Sequence, residues 1–118
     1  MSEQSPNIPP NIDNDPSLVN LKHVAILSRN AVILSGPKGN ILWVNNSFSK
    51  ITGYTLEEVL HKKPSEILTG PKTDPQTLKQ MSDHLSSGEG VHVELLNYHK
   101  SGKEIWLDIE VHPVKDEK

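Results

Sequence analysis

Residues 40–60 read NILWVNNSFSKITGYTLEEVL, and this stretch sets the fold class. It begins with a β-rich run that predicts a strand. The Asn-Ser pair at 46–47 can cap a short helix carrying Phe48, which stops at Gly53. Residues 55–58, TLEE, form a capping box that starts a second helix. A strand followed at once by two short, well-marked helices predicts a mixed α+β domain.

The residues before this stretch predict a helix and a second strand. Asp15-Pro16 is a helix-start signal, and apolar residues then recur at helical spacing to about Arg29. AVILS, residues 31–35, is another β-rich run, and the Gly-Pro-Lys-Gly sequence at 36–39 is a strong turn signal. Residues 31–35 and 40–44 therefore predict a hairpin.

The residues after this stretch predict a third helix and a second hairpin. The second helix is expected to end at Pro64. Asp74-Pro75 repeats the helix-start signal, and apolar residues follow at i, i+3 and i+7. Residues 91–99 and 104–112 alternate in character and are joined at Ser101-Gly102, which predicts two paired strands. Hairpin, three short helices, hairpin is the order of an antiparallel α+β fold.

Composition limits the function classes. A chain of 118 residues has room for one domain, expected at 16–118 after a flexible, proline-rich segment at 1–15. The net charge is −3 and the basic residues are not clustered, so we expect no nucleic-acid partner. The absence of cysteine excludes disulfides, thiolate metal sites and thiol nucleophiles. Without a signal peptide or an apolar run of about 20 residues, we expect a cytoplasmic protein and no membrane partner.

The opening stretch resembles the strand–helix start of PAS domains, in which an asparagine, an apolar helix residue and a TGY turn recur. Here these are Asn45, Phe48 and Thr52-Gly53-Tyr54. ILTGPKTDPQTL and VELLNYHKSGKEIWLDIEVHPV are similar to the back half of PAS domains near the LOV branch, found in bacterial sensor kinases. The resemblance covers roughly 20–118. It implies an antiparallel sheet with short helices on one face, and a sensory module of a signal-transduction protein such as a two-component histidine kinase.

Three positions depart from the LOV pattern. The LOV branch needs a cysteine just before the third helix, and residues 61–65 contain none. Of its polar flavin contacts only Asn97 matches, because Leu107 and Thr69 stand where LOV domains have an asparagine and a glutamine. We therefore expect no FMN photochemistry, and the cofactor is undetermined. A haem- or flavin-binding redox or gas sensor is the alternative function.

The resemblance also implies a fifth strand in the centre of the sheet, which this sequence lacks after His112. The strands at 31–35 and 104–112 would then have unpaired inner edges. We expect either a gap or a strained contact between the two hairpins, or a partner chain in the slot.

Period-two alternation in the second hairpin predicts a pocket on the face that the helices cover. Asn97 falls on this inward face; it can bond a planar ligand or satisfy a buried backbone group. The residues expected around such a pocket are Leu68, Met81, Val93, Leu95, Asn97, Leu107 and Ile109.

No catalytic or metal site is expected, so the chain is not predicted to be an enzyme. Ser65, Asp83 and His84 occur without a nucleophile motif. The six histidines lack metal-ligand spacing and are interpreted as solvated or edge residues, although His84 lies where some haem-binding PAS domains have a ligand.

Leu96, Tyr98 and Trp106 fall on the opposite face of the second hairpin. Large apolar groups on an open sheet face favour an interface over scattered surface residues. The predicted helix at 16–29 is one cover for them, and a second copy of the chain, giving a homodimer, is another. The remaining partners expected are an attached output domain and a small-molecule ligand.

Overall fold

The computed structural model describes the backbone of residues 16–36 and 38–114, and the side chains from residue 22 onward within those ranges. The predicted flexible segment at 1–15 and its junction with the domain lie outside the described residues, so those boundaries stay predictions. The elements in chain order are α1 (Pro16–Leu27), β1 (Ala31–Ser35), β2 (Ile41–Val44), α2 (Asn46–Thr52), α3 (Leu56–Val59), α4 (Pro64–Ile67), α5 (Pro75–Ser86), β3 (Val91–Tyr98) and β4 (Glu104–Pro113).

Local capping explains where α2 and α3 begin. The N-cap of α2 is Asn45, not the predicted 46–47 pair, because the Asn45 side chain accepts a hydrogen bond from the Phe48 amide. Gly53 ends α2 with a φ of 83°, a left-handed conformation that glycine adopts at little cost. The capping box of α3 is confirmed, with the Thr55 hydroxyl and the Glu58 carboxylate each accepting from the other residue's amide.

The one-turn helix α4 was not predicted. Pro64 was expected to end a helix, but it begins one, because proline at the first helical position lacks only an N–H that would be unpaired there anyway. The Glu66 carboxylate accepts from the Lys63 amide at 3.1 Å and so caps this turn. The short helix positions Leu68 against the sheet.

The four strands form one sheet in the order β2-β1-β4-β3. Both predicted hairpins are confirmed as antiparallel pairs. In the second hairpin Leu95 lies opposite Leu107 and Leu96 opposite Trp106, which is the predicted register. The α+β, PAS-like class is therefore confirmed, with short helices on one face of the sheet.

The expected gap between the hairpins is wrong. β1 and β4 pair directly, in parallel, over five consecutive positions from Ala31↔Ile109 to Ser35↔Pro113. The Val114 amide extends the contact by donating to the Ser35 carbonyl at 2.7 Å. All five residues of β1 are buried, so its backbone groups cannot be left to water, and pairing with β4 satisfies them.

Two apolar clusters lie on opposite faces of this sheet. The larger is on the inner face and packs the four middle helices against the strands; its fully buried members include Ile33, Ile41, Phe48, Val59, Leu107 and Val111. The smaller is on the outer face, where α1 packs Ala25 against Val32, Leu34 and Trp43, with Val114 beside them.

The helix predicted at 16–29 ends at Leu27 and covers only part of the outer face. It lies on the β1–β2 half, where the Lys22 ammonium sits 5.8 Å from the centre of the Trp43 ring. Val24, Ile26 and Leu27 are exposed, so the expected cover of the second hairpin is wrong for this helix.

Candidate functional site

A cavity of about 370 Å³ lies between the helices α4 and α5 and the inner face of the sheet. Its inner wall is apolar and its rim is formed by the β1–β2 turn, the start of α4 and one side of α5. The lining residues are Gly36, Lys38, Gly39, Lys63, Pro64, Ser65, Leu68, Thr69, Leu78, Met81, Ser82, Leu85, Ser86, Leu95, Asn97, Ile109 and Val111. A volume near the lower end of the roughly 300–1,000 Å³ typical of ligand pockets suits a small organic molecule.

Five of the seven predicted pocket residues line this cavity: Leu68, Met81, Leu95, Asn97 and Ile109. Leu107 is buried in the core cluster and does not reach the cavity. Val93 lies at a separate, shallower cleft between α5 and β3. The two exceptions share a cause: period-two alternation identifies the inward face of a strand, but not which part of that face a helix covers.

Asn97 is a buried polar residue that contributes to the lining of the cavity. The residue is 2% exposed, and its Nδ2 donates to the Leu96 carbonyl at 3.2 Å. Its Oδ1 is buried and has no hydrogen-bond partner among the described residues. A buried acceptor left unpaired costs about 1–3 kcal/mol. The side chain thus does satisfy a backbone group, as one sequence-based interpretation held, and its oxygen is enclosed without a partner among the described residues.

The rim of the cavity is positively charged. Lys38 and Lys63 are exposed at the mouth, and no aspartate or glutamate occurs among the described residues that line the cavity. The hydroxyls of Ser65, Ser82 and Ser86 lie along the same rim. Sequence reasoning missed both lysines as site residues, because they come from segments 25 positions apart that only the fold brings together.

Asn45 was quoted for the PAS resemblance but not recognised as a structural junction. Its Oδ1 accepts from the Val32 and Phe48 amides, both at 3.0 Å. Its Nδ2 donates to the carbonyls of Ala25 at 2.8 Å and Asn30 at 3.0 Å. This one side chain therefore connects the end of α1 to β1 and α2. The signal in the sequence for this role was an asparagine directly after a strand and three residues before Phe48.

The three predicted interface residues do not form one open patch. Trp106 is 69% exposed, whereas Leu96 and Tyr98 are half-buried. The Tyr98 hydroxyl accepts from the Lys72 amide at 3.1 Å, and its ring lies so close to Gly70 that a Cβ there would be 2.4 Å from a ring carbon. Tyr98 therefore fixes the loop before α5, and Trp106 is the large side chain left on the surface.

Charged residues surround Trp106 on the outer face of β3 and β4. His92 pairs with Asp108, and Glu110 accepts from the Asn30 side chain at 3.1 Å. The Asn30 hydrogen bond, together with one from His112, holds the pKa of Glu110 below its usual value despite the burial that raises it. The exposed indole is thus set in a hydrogen-bonded polar frame.

The described part of the chain does not bring its histidines and carboxylates together into a metal centre. No group of three or more potential ligands lies close enough together to hold a metal ion within residues 16–36 and 38–114. His84 is exposed on α5 and its Nδ1 lies 2.8 Å from the Gln80 carbonyl, while Asp83 pairs with Lys79. Among the described helices, none has the length and apolar character needed to cross a membrane.

A protein-family model described as "PAS domain" matches residues 29–118. A blue-light-activated histidine kinase of Brucella anthropi is 35% identical over 81 residues, which cover 69% of this chain and 16% of that protein. Phototropin-2 of Oryza sativa subsp. japonica is 34% identical over 82 residues, covering 70% of this chain and 9% of that protein. The chain thus spans a small part of these relatives' length.

Solved structures of light-sensing domains have the same fold. The dark structure of the blue-light photoreceptor Aureochrome1 LOV aligns with a TM-score of 0.60 at 29% identity, covering 90% of this chain and 70% of that one. A structure entitled "Flavin Analogue Sheds Light on Light-Oxygen-Voltage Domain Mechanism" aligns at 0.61 with 33% identity, covering 79% and 67% of the two chains.

Proposed function

The chain belongs to the PAS domain family, and we propose that it is the sensory input module of a larger signal-transduction protein. The relatives named above include a light-activated histidine kinase of which this chain matches only a sixth, which leaves room there for a separate output unit. The observation that carries the proposal is the cavity of about 370 Å³ between the helices and the sheet, to whose lining Asn97 contributes. A cavity of this size, with an apolar wall, supports the binding of a small molecule as the signal that the module detects.

The contacts of the cavity suggest how binding would be transmitted. Ile109 and Val111 line the cavity and are paired, through β4, with Ala31 and Ile33 of β1. Alternate residues of β1 point to the other face, where the second cluster contains Ala25 of α1. A ligand that favours one arrangement of β4 would therefore shift the population of α1 positions, and with it an attached output domain.

The LOV relatives imply a flavin, and the residues present do not fit LOV flavin chemistry. The thiol that LOV photochemistry requires is missing, since the sequence contains no cysteine. An isoalloxazine ring carries several acceptors and a donor along one edge, whereas the cavity wall offers Asn97 as its single amide. Thr69, also in the lining, already donates its hydroxyl to the Ser65 carbonyl at 2.6 Å. The haem alternative gains no support either, because His84 is outside the lining of this cavity.

We also propose that the module has no catalytic activity of its own and acts in the cytoplasm. Asp83 pairs with Lys79 and the His84 ring lies against the Gln80 carbonyl, and within the described part of the chain no hydrogen bond joins either of them to Ser65. The exposed Trp106, and the exposed Val24 and Leu27 of α1, are the surfaces that a second copy or an output domain would cover.

Filling the cavity tests the proposed coupling. Ser82→Trp on α5 would insert a ring at the cavity rim, and Gln76→Trp on the same helix is the matched control, because Gln76 is exposed and outside the lining. Hydrogen exchange of the backbone amides of α1 and β1 is expected to change with Ser82→Trp and to stay unchanged with Gln76→Trp. Equal exchange in both variants and the wild type would refute coupling between the cavity and α1.

A further inference from the structure

We propose that the free edge of β3, the side of residues 92–96 that faces away from β4, binds a segment of another protein as an additional strand of the sheet. The segment is short, extended and basic. Its cationic side chains lie on the outer face beside Glu94, and an aliphatic side chain enters the cleft between α5 and β3. This surface lies outside the cavity of the proposed sensory function.

The backbone groups of alternate residues of β3 point away from β4. In an antiparallel pair, successive residues direct their N–H and C=O groups alternately toward the partner strand and away from it. The Tyr98 amide donates to the Leu68 carbonyl at 2.8 Å, and the Leu96 carbonyl accepts from the Thr73 hydroxyl at 2.8 Å. Neither of these bonds is part of the β3–β4 pair. The even-numbered residues of β3 therefore have their backbone groups on the free edge.

The first half of this edge is open. The amides of His92, Glu94 and Leu96 do not face β4, and no hydrogen bond from a loop or a side chain reaches them among the described residues. The edge on the other side of the sheet is different, because Ile41 of β2 makes two backbone hydrogen bonds with residues 61–62, each of 2.8 Å. A strand edge with open donors and acceptors is a template for another strand. Residues 92–96 would match an added strand of about five residues.

A cleft beside the free edge has room for one side chain of the added strand. It has a volume of about 230 Å³ and lies between α5 and the start of β3, where its lining includes Met81, His84, Val91 and Val93. The two valines pack against the larger apolar cluster but are only partly buried. Every second side chain of an added strand would point to this side of the sheet and cover them. Strand addition with alternate side chains in pockets is an established mode of peptide recognition.

The outer face beside the free edge is acidic. Glu94 is exposed, lies directly opposite Asp108, and forms no ion pair within the described part of the chain. Asp108 pairs with His92. The outward-facing alternate positions of 92–98 and 104–112 contain no lysine or arginine. Opposite charges on directly opposed residues stabilise neighbouring strands, so a lysine or arginine opposite Glu94 is favoured.

A second copy of this chain fits the free edge less well. The open groups are centred on Glu94, so a two-fold pairing that matches them places the two Glu94 residues directly or diagonally opposite each other. Like charges directly opposite are destabilising, and diagonal neighbours stay within reach of long side chains. We therefore assign the edge to a basic segment of a different protein, and the test detects self-association as a separate outcome.

The test uses an acetylated and amidated heptapeptide of alternating arginine and valine, titrated into the intact chain and followed by NMR. In the free chain the amides of residues 92, 94 and 96 should exchange with solvent faster than those of residues 93 and 95, which face β4. Peptide binding should slow exchange at 92, 94 and 96. N-methylation of one alternate set of peptide residues should abolish binding and N-methylation of the other set should not, because only one set faces β3.

Charge reversal tests the chemistry of the occupant. The wild type should bind the arginine peptide about three- to tenfold more tightly than the same peptide with glutamate in place of arginine. Glu94→Lys should reverse this preference. Glu57→Lys, at an exposed position of α3, is the matched control and should leave the preference unchanged. Serine in place of the peptide valines should weaken binding, because the cleft then loses its apolar occupant.

Three results would overturn the proposal: no change of exchange at residues 92, 94 and 96 with the arginine peptide, loss of binding with both N-methylated peptides or with neither, or an unchanged charge preference in Glu94→Lys. Slowed exchange at the same three amides that increases with protein concentration, without any peptide, would show that a second copy occupies the edge. That result would also refute the assignment to a basic partner.

Discussion

Replacing Asn97 with leucine is expected to stabilise the protein. The substitution eliminates a buried, unpartnered acceptor that costs about 1–3 kcal/mol, and it forfeits one neutral hydrogen bond of about 1 kcal/mol. The carbonyl that loses this bond, that of Leu96, keeps the one from Thr73. The free energy of unfolding should therefore rise by up to about 2 kcal/mol, or by up to roughly 10 °C in Tm for a domain of this size.

The other fully buried asparagine provides the control. Asn45→Leu removes the same chemical group, but each polar atom of Asn45 has a partner, so the Val32 and Phe48 amides and the Asn30 carbonyl would each lose a hydrogen bond, while the Ala25 carbonyl would keep the one from the Ser28 amide. It should destabilise the fold by about 4 kcal/mol or more. Urea unfolding followed by circular dichroism measures both variants. A loss of stability in Asn97→Leu comparable to that in Asn45→Leu would refute the interpretation of Asn97 Oδ1 as a buried acceptor without a partner.

Three further outcomes are expected. Leu107→Ala should lower the free energy of unfolding by about 2–5 kcal/mol, because the side chain is fully buried. The control Lys38→Ala, at an exposed position, should change it by less than about 0.5 kcal/mol. Equal losses of stability in chemical denaturation would contradict the assignment of Leu107 to the buried face of β4. Trp106→Arg should shift a dimer toward monomer in sedimentation with unchanged circular dichroism, and a wild type that stays monomeric at high concentration would exclude this surface as a homodimer contact. Hydrogen bonds from Asn30 and His112 lower the pKa of Glu110 in the folded state. The carboxylate therefore stabilises the fold at any pH above the pKa that it has in the unfolded chain, and this stabilisation is lost as the pH falls through its pKa in the folded state. Glu110→Gln should therefore flatten the acid side of the stability–pH curve, and Glu57→Gln, an exposed carboxylate on α3, should not.

Part of the candidate site was accessible from the sequence because it depends on local periodicity. Alternation in the second hairpin placed Leu95, Asn97 and Ile109 on one face, and helical spacing placed Met81 opposite them. The cationic rim was not accessible. Lys38 lies in the β1–β2 turn and Lys63 precedes a one-turn helix, and no local pattern relates two such positions. Both line the cavity because the fold brings the start of α4 and the β1–β2 turn to the same rim.

What the sequence determined by itself was most of the elements and several of their ends, with the exception of α4 and of the Asn45 cap of α2. The capping box at Thr55, the left-handed Gly53 and the two hairpins each follow from interactions within a few residues, which the unfolded chain already specifies. These features also carried the family resemblance, since it rests on their order.

Only the tertiary structure decided how the hairpins meet and which surfaces remain open. The fifth central strand implied by the family resemblance predicted a slot between β1 and β4, but the two strands pair directly, in parallel. The reason is that β1 is buried on both faces, so its amides and carbonyls must find backbone partners, and β4 is the strand within reach. The packing of α1 on the β1–β2 half of the sheet leaves Trp106, on the other half, exposed. No local signal in the sequence indicates which half of the sheet the helix covers.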